Sequence, residues 1–174
     1  HIQVVNFDNN STYELQPIRV TDSLVNTLLH IPHVKQVTMF ASKPGIIKTD
    51  SAFQGIVFKG TDYWDYFEQN LVAGSLPERS NEVLLSTELS QLLQLDVEES
   101  FLCYFIEDEL RVRRMYVSGL YNTCMSEMDK IFILGHIDVV RQLNGWADDQ
   151  TSGLEILVDD LQHLESVTEN VYFA

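Results

Sequence analysis

Apolar positions change their period several times along the chain, and each change marks a predicted element. Residues 1–7 alternate, with Ile2 and Val4 on one face and Gln3 and Val5 on the other, before the turn-forming Asp8-Asn9-Asn10-Ser11; this predicts a first strand. The spacing then becomes helical. Leu24, Val25, Leu28, Leu29 and Ile31 follow a capping Asp22, and Pro32 stops the helix. Residues 34–41 and 53–59 return to strand texture, with Ser42-Lys43-Pro44-Gly45 predicted as a loop between them.

From residue 61 the pieces become shorter. Asp62 is placed to cap a small helix with Trp64, Phe67 and Leu71 on one face and Asp65, Glu68 and Gln69 on the other, closed by Gly74. Residues 76–80 read as loop and 82–85 as a brief strand, and a second short helix follows with Leu89, Leu92 and Leu93 turned inward. Residues 101–106 and 110–118 bracket the charged Glu107-Asp108-Glu109, so a hairpin is expected there, with Val112 and Arg113 on opposite faces. A strand at 131–134 leads into a helix on which Ile137, Val140 and Leu143 recur until Asn144-Gly145. Finally Leu154, Ile156 and Val158 alternate with Glu155 and Leu157, and Asp159-Asp160 can cap a helix showing Leu161, Leu164 and Val167.

The two ends of the chain thus look alike, around a middle of short strands and small helices. The expected fold class is α+β: a split βαβ lobe made from both ends, residues 1–60 and 150–174, with a β-rich lobe, residues 61–149, inserted. The split lobe lacks its last strand, which is expected to follow Ala174. With His1 in place of a starting Met, the chain reads as a piece of a longer protein.

Composition narrows the function. At 174 residues, 45% apolar and 21% charged, the chain has the make-up of a globular domain or of two small lobes sharing a core. Its 26 acidic and 11 basic residues leave a net charge of −15, which repels phosphodiester backbones and anionic headgroups; nucleic acid is not an expected partner. No apolar run approaches the ~18 residues that a membrane-crossing helix needs.

Motifs for catalysis are missing. The chain has no G-x-S-x-G elbow, no Walker phosphate loop and no G-x-G-x-x-G. His30 and His33 are three apart, but Pro32 breaks the helix that would aim them together; His136 and Asp138 face different ways on a helix, and His163 stands alone. Glu107-Asp108-Glu109 lacks the spread ligands and central glycine of a calcium loop and reads as a solvated hairpin tip. Cys103 and Cys124 are too few for a disulfide framework; they are either buried thiols or one bridge in an oxidising compartment.

Aromatic residues offer more. Tyr63, Trp64, Tyr66 and Phe67 crowd one short segment. Exposed, such a cluster would anchor a protein or an apolar ligand; packed, Trp64 and Phe67 are core and Tyr63 and Tyr66 ring its edge. The expectation is therefore no catalytic, cofactor or metal residue, with Tyr63, Tyr66, Glu107, Asp108 and Glu109 as candidate partner contacts.

One family resemblance covers nearly the whole chain. The frame Gly60, Tyr63, Phe67, Leu71, Gly74, then Asn81-Glu82-Val83-Leu84-Leu85-Ser86, then Leu89, Leu92, Leu93 and Leu95, resembles the extracytoplasmic core domain of FtsX-like ABC transporter permeases, the group of MacB-type and LolC/LolE-type proteins. Val117-Ser118-Gly119-Leu120-Tyr121 and residues 129–134 continue it. His1-Ile2-Gln3-Val4 and Gly45-Ile46-Ile47-Lys48-Thr49 look particularly like the lipoprotein-releasing permeases of Bacteroidetes-type bacteria.

The resemblance implies a domain on the periplasmic face of the bacterial inner membrane, placed between the first and second membrane helices of its parent. It implies a porter-like α/β lobe and a β-rich sabre-like lobe. ATP would be hydrolysed by a separate cytoplasmic subunit, reached through membrane helices outside this chain. A second permease copy or a paralogue would complete a dimer, and a periplasmic or outer-membrane protein is a further implied partner. The implied role is to transmit ATP-driven motion for lipoprotein release or efflux, with no cofactor. LolC-type members grip a lipoprotein carrier with a proline-containing hook in the hairpin; residues 101–118 have no proline, so that device is not expected here. Two other readings stand beside this one: an extracytoplasmic sensor that binds a ligand or basic peptide, and an enzyme built on a deep cleft of convergent acids.

Overall fold

The computed structural model describes residues 1–6, 13–106 and 109–174. In chain order its elements are β1 (Ile2–Val5), β2 (Ile18–Arg19), α1 (Asp22–Leu29), β3 (Val34–Lys48), β4 (Phe53–Thr61), α2 (Asp65–Glu68), β5 (Leu71–Gly74), β6 (Glu82–Ser86), α3 (Thr87–Leu93), β7 (Ser100–Ile106), β8 (Leu110–Tyr121), α4 (Ser126–Asp129), β9 (Phe132–His136), α5 (Ile137–Asn144), β10 (Gln150–Thr151), β11 (Gly153–Val158) and α6 (Leu164–Tyr172), the last entered through a 3-10 turn at Leu161–His163. The architecture, a large mixed sheet with few helices, agrees with the expected α+β class. The turn expected at Asp8–Ser11 lies outside the described residues, as do Glu107 and Asp108.

Among the described residues, six strands close into a ring. β3 pairs antiparallel with β4, β4 parallel with β9, β9 antiparallel with β6, β6 parallel with β8, and β8 antiparallel with β7, which returns to β3. Closing a sheet this way buries one face of every strand at once. Ala41, Ile47, Phe58, Val83, Leu85, Cys103, Phe105, Met115, Val117 and Ile133 fill the barrel, and Leu89 and Leu93 of α3 with Val140 and Leu143 of α5 complete its core. The seam between β6 and β9 is the shortest, with the single ladder pair Leu84 and Leu134.

β3 also carries a smaller extension of the same nine-stranded sheet beyond the ring, here called the small sheet. Its first half, residues 34–40, pairs antiparallel with β11, and β11 pairs with β1. Leu154 and Ile156 of β11 are buried there with Val20 and Leu28, and Ile2, Val4, Leu24, Val25, Val37 and Val171 are partly buried around them. Thus β3 is 15 residues long and serves two cores. Its second half and β4, grouped with the terminal lobe by the sequence pattern, share their core with residues 83–143.

Residues 42–45 are strand, not loop. The chain reverses instead at 49–52, where Thr49 Oγ1 accepts from Ala52 N at 3.0 Å. Pro44 is tolerated because Val57, opposite it, gives its N–H to Ile131 O, so the Pro44 nitrogen faces away from β4. On that other side β3 pairs with β11 only to Phe40 and with β7 only from Ile46, so no ladder bond is lost.

Three smaller expectations are corrected. α2 is a single turn, and Leu71 and Gly74 belong to β5 rather than to a helix. Gly74 has φ +72°, and a Cβ there would lie 2.3 Å from Ser118 O, so only glycine fits this strand end. Leu92 is 55% exposed, because the seven residues of α3 turn only Leu89 and Leu93 fully inward. Thr21 rather than Asp22 caps α1, accepting from Leu24 N at 3.2 Å, while Asp22 lies in the first turn where its charge favours the helix N-terminus.

Candidate functional site

The junction between the barrel and the small sheet concentrates buried polar chemistry. A lysine or arginine is rarely buried unless it is paired. Lys43 on β3, 2% exposed, donates from Nζ to Asn144 Oδ1 at 2.7 Å and to Glu14 Oε1 at 3.2 Å. Lys59 on β4 donates to Glu155 on β11, and its ammonium stands 5.3 Å from the Phe40 ring centre. Glu155 accepts also from Gln3 Nε2 at 3.0 Å, which draws β1 into the same contact. Arg141 on α5 donates to Gln150 O and to Asp138 Oδ1, each at 3.1 Å, and lies against Met39 Sδ.

Backbone and hydroxyl groups tie the same region. Phe40 O accepts from the Thr151 hydroxyl and from Ser152 N, and Ser152 Oγ accepts from Ser42 N at 3.0 Å. The Ser42 hydroxyl donates to Tyr13 O at 3.1 Å. Close approach is permitted by glycine: a Cβ on Gly153 would lie 2.5 Å from Val4 O, and one on Gly60 would lie 2.6 Å from Ile137 Cα. These contacts join β1, β3, β4, β11 and α5. Removing one partner of such a pair leaves a charge poorly solvated, so the pairs specify how the two sheets sit even where their net stabilisation is small. The arrangement is a clamp.

Of the sequence-predicted contact residues, the described ones, Tyr63, Tyr66 and Glu109, lie elsewhere and do not converge. Tyr63 is half-buried and Tyr66 is exposed on α2, whereas Phe67 is buried against Tyr121, ring centres 6.4 Å apart. Trp64 is half-buried, with Tyr66 packed edge-on to Phe67, so the cluster is core with a tyrosine rim. Glu109 is exposed beside the exposed Ile106 and Leu110. Tyr121 ends the 12-residue strand that Leu110 begins, so at about 3.3 Å per residue the aromatic group and Glu109 stand roughly 35 Å apart.

Both cysteines are free. Cys103 is buried inside the barrel, which pushes its thiol up to about 12, and Cys124 is exposed. Tyr121 donates its hydroxyl to Phe132 O at 2.7 Å; burial first, and the nearby Asp129 charge second, push its pKa up. Lys43, Lys59, Arg141 and Glu155 were not singled out by the sequence pattern. Their signal was weak, because Lys43 falls in a stretch with the composition of a loop and Lys59 closes a predicted strand, where a lysine reads as solvent-facing. The structure also stacks His33 against His163, a pair that linear spacing does not suggest.

No protein-family profile and no curated protein sequence matches the chain. Solved structures do. The chain is similar to the extracellular domain of the noncanonical ABC-type transporter YknZ from Gram-positive bacteria, with a TM-score of 0.60 at 13% identity over 88% of this chain and 80% of that one. It is similar also to the periplasmic region of MacB from Actinobacillus actinomycetemcomitans, with a TM-score of 0.58 at 16% identity over 87% of this chain and 73% of that one. The fold is therefore that of these extracytoplasmic transporter domains. Among the described residues no helix is long and apolar enough to cross a membrane.

Proposed function

We propose that the chain is an extracytoplasmic domain of an ABC transporter permease, which carries motion from a cytoplasmic ATPase across the membrane without itself binding ATP or catalysing a reaction. The observation that carries this reading is the fold shared with two transporter domains along most of the chain. The clamp supplies a physical reason. A part that transmits displacement must not dissipate it internally, and here one 15-residue strand with buried pairs on both sides joins the two sheets. The movable interface then lies between this domain and a second permease copy or paralogue, where two arrangements alternate as the ATPase cycles. Lipoprotein release and efflux are both served by such a stroke, and the lipoprotein-releasing assignment rests on the sequence resemblance.

Cys124 gives a direct test. In spheroplasts of a bacterium expressing the complete protein, a membrane-impermeant maleimide labels Cys124, and a Cys124→Ser variant loses that label. Labelling that requires lysis of the spheroplasts rejects the placement. For the mechanical part, a disulfide joining this domain to its partner copy stops transport; undiminished transport in the joined complex rejects it.

A further inference from the structure

Val34 and Val158 pair at the outer end of the small sheet, so the residues flanking them, His33 and Asp159, are neighbours, and Asp159 N donates to His33 O at 3.0 Å. The turn at Leu161–His163 then folds back and lays the His163 ring flat on that of His33, with centres 3.7 Å apart and planes 4° from parallel. Asp159 Oδ1 stands 3.2 Å from His33 Nδ1. One donor atom from each of His33, Asp159 and His163 lies within 4.8 Å of the other two. His163 Nδ1 is sealed from solvent without a hydrogen-bond partner, and Asp160 Oδ2 is 3.8 Å away. A buried nitrogen in that state is costly unless something occupies it.

We propose that His33, Asp159 and His163 form a binding site for a divalent transition metal of the zinc type. Two imidazole nitrogens and one carboxylate oxygen are a zinc donor set, whereas magnesium and calcium select oxygen ligands. The side chains are 40%, 54% and 42% exposed, so a metal reaches them from solvent and water completes its coordination. Two donors on one zinc at about 2.0–2.2 Å stand about 3.4 Å apart, a separation that His33 Nδ1 and Asp159 Oδ1 already meet at 3.2 Å. A metal must also lie in the plane of each imidazole that binds it. Parallel stacked rings share no such point, so one ring leaves the stack as the metal enters. Zinc then pins the residue before β3 to the turn that starts α6, at the open end of the smaller lobe.

The test is a titration of the 174-residue chain with zinc chloride, followed by calorimetry and by the histidine ring resonances. One zinc binds per chain, the thermal midpoint rises, and the ring-current-shifted signals of His33 and His163 move; magnesium chloride does none of this. His33→Ala and His163→Ala each weaken binding roughly tenfold or more, with unchanged circular dichroism, while His1→Ala and His30→Ala bind as the parent does. The proposal is overturned if zinc does not bind saturably, if His33→Ala and His163→Ala bind like the parent, or if His1→Ala abolishes binding, which would place the metal on the amino terminus.

Discussion

The barrel and the small terminal sheet share a strand yet are held by different means. In the barrel each strand is paired on both sides, though by a single ladder pair where β6 meets β9, and its interior is an apolar set that includes fully buried Phe58, Phe105, Met115 and Leu85. The small sheet ends at β1, whose only partner among the described residues is β11, and the buried cluster of Val20, Leu28, Leu154 and Ile156 depends on half-buried residues from α1, β1 and α6. Apolar area removed from water stabilises the first, and polar clamps to the first position the second. A body assembled this way has a stiff portion and a softer portion that cannot tilt freely.

Substitutions rank the two regions. Phe58→Ala removes a ring that packs edge-on to Phe105 and against Gly135, and should cost about 3–5 kcal/mol in urea unfolding. A similar loss from Leu28→Ala with one cooperative transition would mean that the small sheet is no softer than the barrel. Lys59→Ala leaves Glu155 without its cation and is expected to cost about 3 kcal/mol, less than the figure for a deeper pair because Glu155 keeps some solvent contact. The apolar double replacement Lys59→Met with Glu155→Leu should recover most of that loss, and a double-mutant cycle measures the coupling.

Alkali should act on the barrel first. The Cys103 thiol, ordinarily near 9.0, is held up to about 12 by burial, so the folded state binds this proton more tightly than the unfolded state does. Its contribution is complete below pH 9 and is lost as pH rises toward 12, at up to about 1.4 kcal/mol per pH unit. The raised Tyr121 hydroxyl adds a loss of the same sign. Thermal midpoints measured between pH 8 and about 11 should therefore fall, and less so in Cys103→Ala after allowing for that variant's lower starting stability. Smallest is Thr21→Ala, which removes the cap on α1 and should cost about 1 kcal/mol, read as faster amide exchange in α1 with the barrel unchanged.

What could be read from the sequence was what neighbours along the chain decide. Ile137, Val140 and Leu143 predict α5, and Gly145, at φ +64°, ends it as expected. The alternation of Leu154, Ile156 and Val158 predicts β11, and all three are buried. The hairpin was legible from the charged residues between its two apolar runs, and β7 and β8 pair antiparallel from Ile106 and Leu110 inward. What escaped depends on partners far along the chain. Ser42-Lys43-Pro44-Gly45 has the composition of a turn, but Ser152, Glu14 and Asn144 satisfy its polar groups and hold it extended. The closure of β7 onto β3 pairs Cys103 with Ile47, a contact that no local pattern announces. For the same reason the clamp lysines and the stacked histidines carried no signal.

The central structural claim is that β3 is one continuous beam through both sheets, and native-state hydrogen exchange of the 174-residue chain tests it most directly. The hydrogen-bonded amides on either side of Ala41 should open with free energies within about 1 kcal/mol of one another, while β1 and α6 open more readily. If residues 34–40 instead exchange with β1 and α6, several kcal/mol more easily than residues 45–48, the two sheets move independently and the beam does not exist.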